Sequence, residues 1–461
     1  MTHSRRSFLK GAGAAVALPW LDLRAQGVAA PSERINVACC GIGFQGAWDV
    51  EEMAKTGLVN IVALCDTHLG ADFTAKILKK YPNAKRYKDF RKMFDEMGNQ
   101  IDAVTAGVPD HSHFPIAMMA MKLGKGIYTE KPMGHTFREI GIMMAAAAKY
   151  KVATQMGNQG HSREAYFQFR DLVRKGIIKD VTKIVAHMNS SRRWHKWKGH
   201  VTSLRPAMPL PEGLDWDTWL GTVPFHAYHR DYVQGDWRCW YDFGNGALGD
   251  WGAHIFDTAH EFLRLGMPEG VDVLHMDGHS DFVFPMNCTL KFKFGALPDR
   301  RAIDMYWYEG QQNIPELPKG FTGSEAAADV PKPGGGSSAV AKLNPGKEIY
   351  LADGTVLKGA SHASTLSYVG RPEKLNDFER PIENHHKNFV RAVKGEVARC
   401  NSDFSVAGPL SQVLCLGCIA QRLNTNIRFD PKTQQIVGNA TANTLLAGPP
   451  PRKGWEQFYE V

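Results

Sequence analysis

The hexapeptide Gly41-Ile42-Gly43-Phe44-Gln45-Gly46 constrains the fold more than any other segment of the chain. It fits the G-x-G-x-x-G pattern, which carries weight only between a strand and a helix. Both are predicted here. Ile35–Cys40 is a short apolar run, and a helical pattern follows from about Ala47 to Thr56. Gly41 permits a tight turn, Gly43 lets a pyrophosphate approach the backbone, and Gly46 allows close packing of helix on strand. The helix N-terminus then faces the anion. Ile42, Phe44 and Gln45 complete the loop, so the whole hexapeptide is a candidate for cofactor binding.

A second predicted strand, Asn60–Cys65, ends at Asp66. An acid at this distance from the glycines accepts hydrogen bonds from the adenosine ribose and repels a 2′-phosphate. No Arg or Lys occurs in Thr67–Ala71. Both features favour NAD over NADP. Helical patterns continue at Ala71–Lys80, Asp89–Met97, Ser112–Leu123 and Thr136–Tyr150, alternating with strands at Ile101–Ala106, Gly126–Thr129 and Val152–Met156. This alternation predicts an α/β Rossmann domain, a doubly wound parallel sheet, over residues 31–156. Ligands of such sheets sit at the carboxyl ends of the strands. Two polar clusters fall there: Pro109-Asp110-His111-Ser112-His113 and Glu130-Lys131-Pro132.

The chain has 461 residues, enough for two or three domains. It begins Ser4-Arg5-Arg6-Ser7-Phe8-Leu9-Lys10, followed by a weakly apolar, Gly/Ala-rich stretch from Gly11 to Leu21. This reads as a twin-arginine signal peptide over residues 1–30 and predicts export, folded, to a bacterial periplasm. Beyond the leader no run of 18 apolar residues appears, so no stable membrane insertion is expected. Net charge is +8, with bases dispersed among acids. The densest cluster, Arg192–Lys198, interleaves aromatics and reads as a substrate-facing loop; no nucleic-acid partner is expected. The eight cysteines do not form a disulfide framework. Cys39, Cys40 and Cys65 fall in buried strands, and Cys415 and Cys418 in an apolar helix, as small buried hydrophobes.

The glycine fingerprint, Pro109–His113 and, above all, Glu130-Lys131-Pro132 make the chain resemble the Gfo/Idh/MocA family, the glucose–fructose oxidoreductase and inositol dehydrogenase group. Gly246-Ala247-Leu248-Gly249-Asp250-Trp251-Gly252-Ala253-His254 extends the resemblance into the second half. Gly157-Asn158-Gln159-Gly160-His161 and Trp237-Arg238 are similar to an exported branch of that family. The resemblance implies a second α/β domain with a large, mostly antiparallel sheet, placed here at 157–430. Its open sheet face implies a homo-oligomer. Alternation at Thr182–Asn189, Asp281–Phe294 and Ile303–Tyr308 agrees, as does a hairpin over Tyr350–Leu357 turning on Asp353-Gly354. Residues 317–346 read as a loop insertion, and 431–461 as a C-terminal tail packing on the body.

The resemblance also implies NAD-dependent oxidation of a hydroxyl on a sugar, glycoside or cyclitol. Such a reaction needs hydride transfer to the cofactor, a base, and a group that stabilises alkoxide character. Lys131 suits the last task, with a cis bond expected before Pro132. His254 is the candidate base, and Asp250, four residues earlier on one helical face, its orienting partner. Pro109, His113, Glu130, Lys131 and Gln159 join the fingerprint and Asp66 as expected cofactor contacts. His161, Trp237, Arg238 and Tyr241 are expected to face substrate. Asp250, His254 and Asp257 could share a face as ligands, but nothing else calls for a metal. The alternative within the same family is an NAD-dependent glycosidase working by transient oxidation and elimination. A non-catalytic sugar-binding protein is disfavoured by Lys131, Asp250 and His254 occurring together.

Replacing Arg5 and Arg6 together by Lys is expected to abolish export while leaving cofactor binding intact. Cell fractionation with a binding assay checks both halves; normal export of this variant would remove the twin-arginine reading.

Overall fold

The computed structural model describes residues 33–189, 201–321, 343–361, 365–375 and 383–461. The expected leader, the basic–aromatic cluster at 192–198 and most of the expected insertion lie outside the described residues.

The first domain is the one that strand–helix alternation demands. Its strands are β1 (Ile35–Cys40), β2 (Val59–Cys65), β3 (Lys85–Tyr87), β4 (Ala103–Ala106), β5 (Gly126–Thr129) and β6 (Thr154–Met156). Among the described residues they form one parallel sheet in the order β3-β2-β1-β4-β5-β6. The connecting helices are α1 (Phe44–Lys55), α2 (Asp72–Lys80), α3 (Phe90–Met97), α4 (Asp110–Lys122) and α5 (Phe137–Tyr150). The order reverses beside β1, so the loops after β1 and β4 frame a crevice. β4 and β5 are buried at every residue, as a parallel sheet covered on both faces requires. Strand β3 was not expected. Two of its three residues are exposed, so its sequence carries no apolar signal.

The second domain follows helix α6 (Glu164–Arg174). Its sheet contains β7 (Val181–Met188), β8 (Gly270–Asp277), β9 (Asn287–Phe294), β10 (Ile303–Glu309), β11 (Gly346–Leu351), β12 (Val356–Ala360), β13 (Ser367–Tyr368), β14 (Ile427–Asp430) and β15 (Gln435–Ile436). The order is β13-β12-β11-β7-β10-β9-β8-β14-β15. Within this sheet only the β7–β10 pair is parallel among the described residues. The hairpin over 350–357 turns where expected. The strand expected at Asp281–Phe294 is shorter, starting at Asn287, because Pro285 lacks the N–H a ladder needs. Strand β10 alternates buried and half-buried residues, so one face packs on the core and the other stays open.

Two later segments return to the Rossmann domain. Helix α7 (His385–Val393) places Phe389 and Val390 in one core with Val37, Val50, Ala103 and Tyr128. Helix α8 (Phe404–Leu423) is apolar all round because it is buried among the other elements. All eight cysteines are free and buried, as expected.

The C-terminal segment straps over the Rossmann helices. Trp455 packs on Phe90 and Phe458, with the Arg91 guanidinium 4.3 Å from its ring centre. Tyr459 donates to Glu139 Oε1 at 2.7 Å. Glu139 also closes a capping box with Thr136 at the start of α5, so one carboxylate serves helix and tail. Trp455→Ala is expected to lower stability by about 3–5 kcal/mol, the usual cost of emptying a buried aromatic site. Urea unfolding measures it; an unchanged midpoint would mean the tail contributes no packing.

Candidate active site

The fingerprint has the geometry of an anion cradle. Gly41 lies at φ +78°, and a Cβ there would sit 2.3 Å from the Gly107 carbonyl oxygen. A Cβ on Gly46 would lie 2.2 Å from the Gly41 carbonyl oxygen, so only glycine lets α1 approach the β1 and β4 loops. Gly43 caps α1 without any side-chain hydrogen bond, leaving the first N–H groups of the helix for a ligand. These residues fit a dinucleotide pyrophosphate. Asp66, at the end of β2, accepts from the Ile42 N–H at 3.1 Å and the His68 N–H at 3.0 Å. Burial raises the pKa of its carboxyl, and the two backbone donors oppose that. Its position on the wall suits the ribose hydroxyls.

These groups open onto a cleft of about 390 Å³ between the two domains. Phe44, Gln45, Pro109, Glu130 and Lys131 line it from the first domain; Trp219, Tyr228, Trp237 and Arg238 line it from the second. Arg238 lies over the Trp237 ring at 4.1 Å. A charged fork stacked on an indole suits a surface of mixed polarity, such as a sugar's.

Lys131 leaves the end of β5 on a cis peptide bond to Pro132, as expected. Its Nζ contacts Asp250 Oδ1 at 2.5 Å and the Asp250 carbonyl at 3.2 Å. Arg238 Nε is 3.6 Å from the same Oδ1. Asp250 sits on a π-helical turn, Leu248–Gly252, which runs into the helical segment carrying His254. Both Asp250 and His254 are buried. The His254 ring stands edge-on to Trp251 at 6.2 Å. Asp250 therefore links Lys131 to the segment that carries His254.

Other expected site residues are tied up in hydrogen bonds with neighbouring groups. Gln45 and Gln159 both donate to Glu130 Oε1, at 3.3 and 3.1 Å. His113 is fully buried with its ring nitrogens 2.8 Å from the Pro132 carbonyl and 3.0 Å from the Val108 carbonyl, its single N–H donating to one of them, so it packs under the Lys131 turn. His161 is buried between Asp257 (2.9 Å) and Glu261 (3.1 Å). Burial disfavours its charge, but the two carboxylates prevail and raise its pKa to about 10. Tyr241 packs on Phe284 with its hydroxyl buried, beside a separate pocket of about 230 Å³. His161 and Tyr241 thus sit in the packing of the second domain rather than on the cleft wall.

Three further buried groups at the site were not among the expected catalytic or binding residues. Asp110, buried at the start of α4, accepts from the Asn245 N–H, and burial pushes its pKa up to about 7. His111 places its ring nitrogens 2.7 Å from the Trp219 carbonyl and 3.1 Å from the Phe243 carbonyl, and its single N–H donates to one of them, tying α4 to the second domain. Both belong to a cluster whose strand-end position was the available signal. Asp49, inside α1, gave none.

Fold and site together define a two-domain dinucleotide-binding protein with the Lys131–Asp250 pair at the domain seam. Residues 35–158 match the NAD-binding Rossmann fold of the Gfo/Idh/MocA oxidoreductase family, and residues 165–292 match that family's C-terminal α/β domain. The chain belongs to this family. An α-N-acetylgalactosaminidase of Shewanella oneidensis is 27% identical over 215 residues, covering 41% of this chain and 47% of that protein. A glycosyl hydrolase family 109 protein of Akkermansia muciniphila is 28% identical over 157 residues, 32% of each chain. The chain therefore spans at most about half the length of these relatives. Among solved structures, the WlbA dehydrogenase of Bordetella pertussis, in complex with NADH and UDP-GlcNAcA, superposes with a TM-score of 0.58 at 14% identity. That match covers 86% of this chain and 99% of the other. The aldose-aldose oxidoreductase of Caulobacter crescentus gives 0.54 at 13%, covering 86% and 100%. These likenesses establish the fold.

Asp66→Ala is expected to weaken NAD binding about 10- to 100-fold, the loss of one or two charge-assisted hydrogen bonds. It should also narrow the preference for NAD over NADP. Titration with both cofactors decides it; unchanged NAD affinity would place the ribose elsewhere.

Proposed function

We propose that the protein oxidises a hydroxyl of a sugar, glycoside or cyclitol by hydride transfer to tightly bound NAD. One observation carries this reading. Lys131, on the wall of the cleft that the glycine fingerprint opens, is fixed by Asp250 on the segment bearing His254. NAD, when bound, accepts the hydride. The Lys131 ammonium stabilises negative charge developing on the substrate oxygen. His254 takes the hydroxyl proton, and Asp250 holds Lys131 and the His254 segment in register. Trp237 and Arg238 orient the substrate. Cofactor retention accords with the expected twin-arginine export to the periplasm, where no pool of free NAD is expected. The open sheet face is the proposed contact of a homo-oligomer.

The relatives named as glycosidases favour a second reading, in which the same oxidation is transient and is followed by elimination of an aglycone. A panel of free sugars and glycosides separates the two. Reduced-nicotinamide absorbance that rises and persists supports net oxidation; released aglycone without net reduction supports the cycle. Neither signal with any member would remove the catalytic reading.

Lys131→Ala and His254→Ala are each expected to slow single-turnover reduction of bound NAD by about a hundredfold or more. NAD binding should survive in both, because its fingerprint contacts lie elsewhere. Asp250→Asn should act non-additively with Lys131→Ala. A wild-type rate in His254→Ala would show that another group is the base.

A further inference from the structure

Where Glu130 lines the cleft it meets a second carboxyl group, and both are buried. Asp49 on α1 is 1% exposed and Glu130, after β5, is 5% exposed. The two side chains lie within hydrogen-bonding reach of one another. Glu130 Oε1 is occupied by the amides of Gln45 and Gln159, and Oε2 takes the Lys131 N–H at 3.3 Å. Asp49 Oδ1 faces His386 Nε2 at 3.4 Å and the Gln45 amide lies near the carboxylate, whereas Asp49 Oδ2 is buried without a hydrogen bond of good geometry. A Cβ on Gly157 would stand 2.4 Å from Glu130 Oε1, and one on Gly107 would stand 3.1 Å from Asp49 Oδ2. Bare backbone thus packs closely against both carboxyl groups.

We propose that Asp49 and Glu130 share one proton, and that this protonated pair clasps α1 to the turn carrying Lys131. An orphaned carboxylate oxygen beside a second carboxylate is satisfied most simply by a proton held between them. Two like charges at this distance in a dry site do not both ionise. Burial raises both groups, Glu130 to about 8. The groups facing the pair are Glu52 on α1, Lys131 on its turn, Tyr128 on β5, Cys39 on β1 and His386 on α7. Burial pushes His386 down to about 4, and pushes Cys39 up to about 12 and Tyr128 well above its ordinary value. At neutral pH those three are uncharged. The Lys131 ammonium and the Glu52 carboxylate are the charges that act on the pair. The clasp joins the helix that meets the cofactor's phosphates to the turn that meets its reactive end. Asp49 is a positioning residue, acting through Glu130 and Lys131, whichever sugar is used.

The test uses the whole protein with Asp49→Asn, Glu130→Gln and the double variant. Infrared difference spectra at pH 7, wild type against variant, should show a protonated-carboxyl C=O band that either single substitution removes. Because a folded carboxyl with raised pKa holds its proton while the unfolded one has lost it, folding weakens as pH rises from about 5 to about 8. The wild-type folded-to-unfolded ratio should fall about tenfold per pH unit relative to Asp49→Asn over that window. NAD affinity should drop in each single variant and no further in the double. If one variant fails to fold, the other probes the same proton. Unchanged carboxyl bands and pH profiles parallel to wild type would overturn the shared proton. Additive losses of NAD affinity would overturn the clasp.

Discussion

The contact between Lys131 and Asp250 is the point on which the rest of the structure turns. It joins the end of Rossmann strand β5 to a helical turn of the second domain, beside the cleft that Lys131 lines. Both side chains are largely withdrawn from water. An ion pair in such a place adds little net stability, yet removing one partner strands the other charge and costs about 3–5 kcal/mol. Apolar residues would join the domains at least as firmly. A charged pair at the seam instead keeps a fixed positive group beside the cleft, which is what the proposed oxidation calls for.

Several buried groups serve this one position. His113 holds the carbonyl after Lys131 from below, and Glu130 receives the Lys131 N–H from beside it. His111 and Asp110, at the start of α4, bond to the second-domain loop at Phe243 and Asn245. The domains are thus cross-linked by hydrogen bonds around the cleft, while the apolar packing lies behind it. The arrangement follows from parallel-sheet topology. Strand ends present polar loops on one side only, and the second domain completes the crevice there.

Much of this was legible in the sequence, because it rests on local rules. The glycine fingerprint, the acid ending β2 and the strand–helix alternation each have a stated spacing, and the structure follows them closely. Lys131, the cis bond to Pro132, and Asp250 were readable from motif and position. The fates of His161, His113 and Tyr241 were not. A histidine in a loop looks the same whether it meets a ligand or two buried carboxylates, and Asp257 and Glu261 are about a hundred residues away in sequence. Asp49 was invisible for a related reason. An acid one turn into a helix normally faces solvent, and only the return of α7 and the approach of Glu130 bury it. Strands β3 and β8 were missed because their exposed residues blur the alternation on which a strand is recognised.

The central claim is that NAD occupies the seam with its reactive end toward Lys131 and Asp250. A crystal structure grown in the presence of NAD tests this most directly. The account predicts pyrophosphate density over Gly41–Gly46, ribose hydroxyls at Asp66, and the nicotinamide end opening toward Lys131. A cofactor bound outside this cleft, or a cleft that stays empty at saturating NAD, would contradict it.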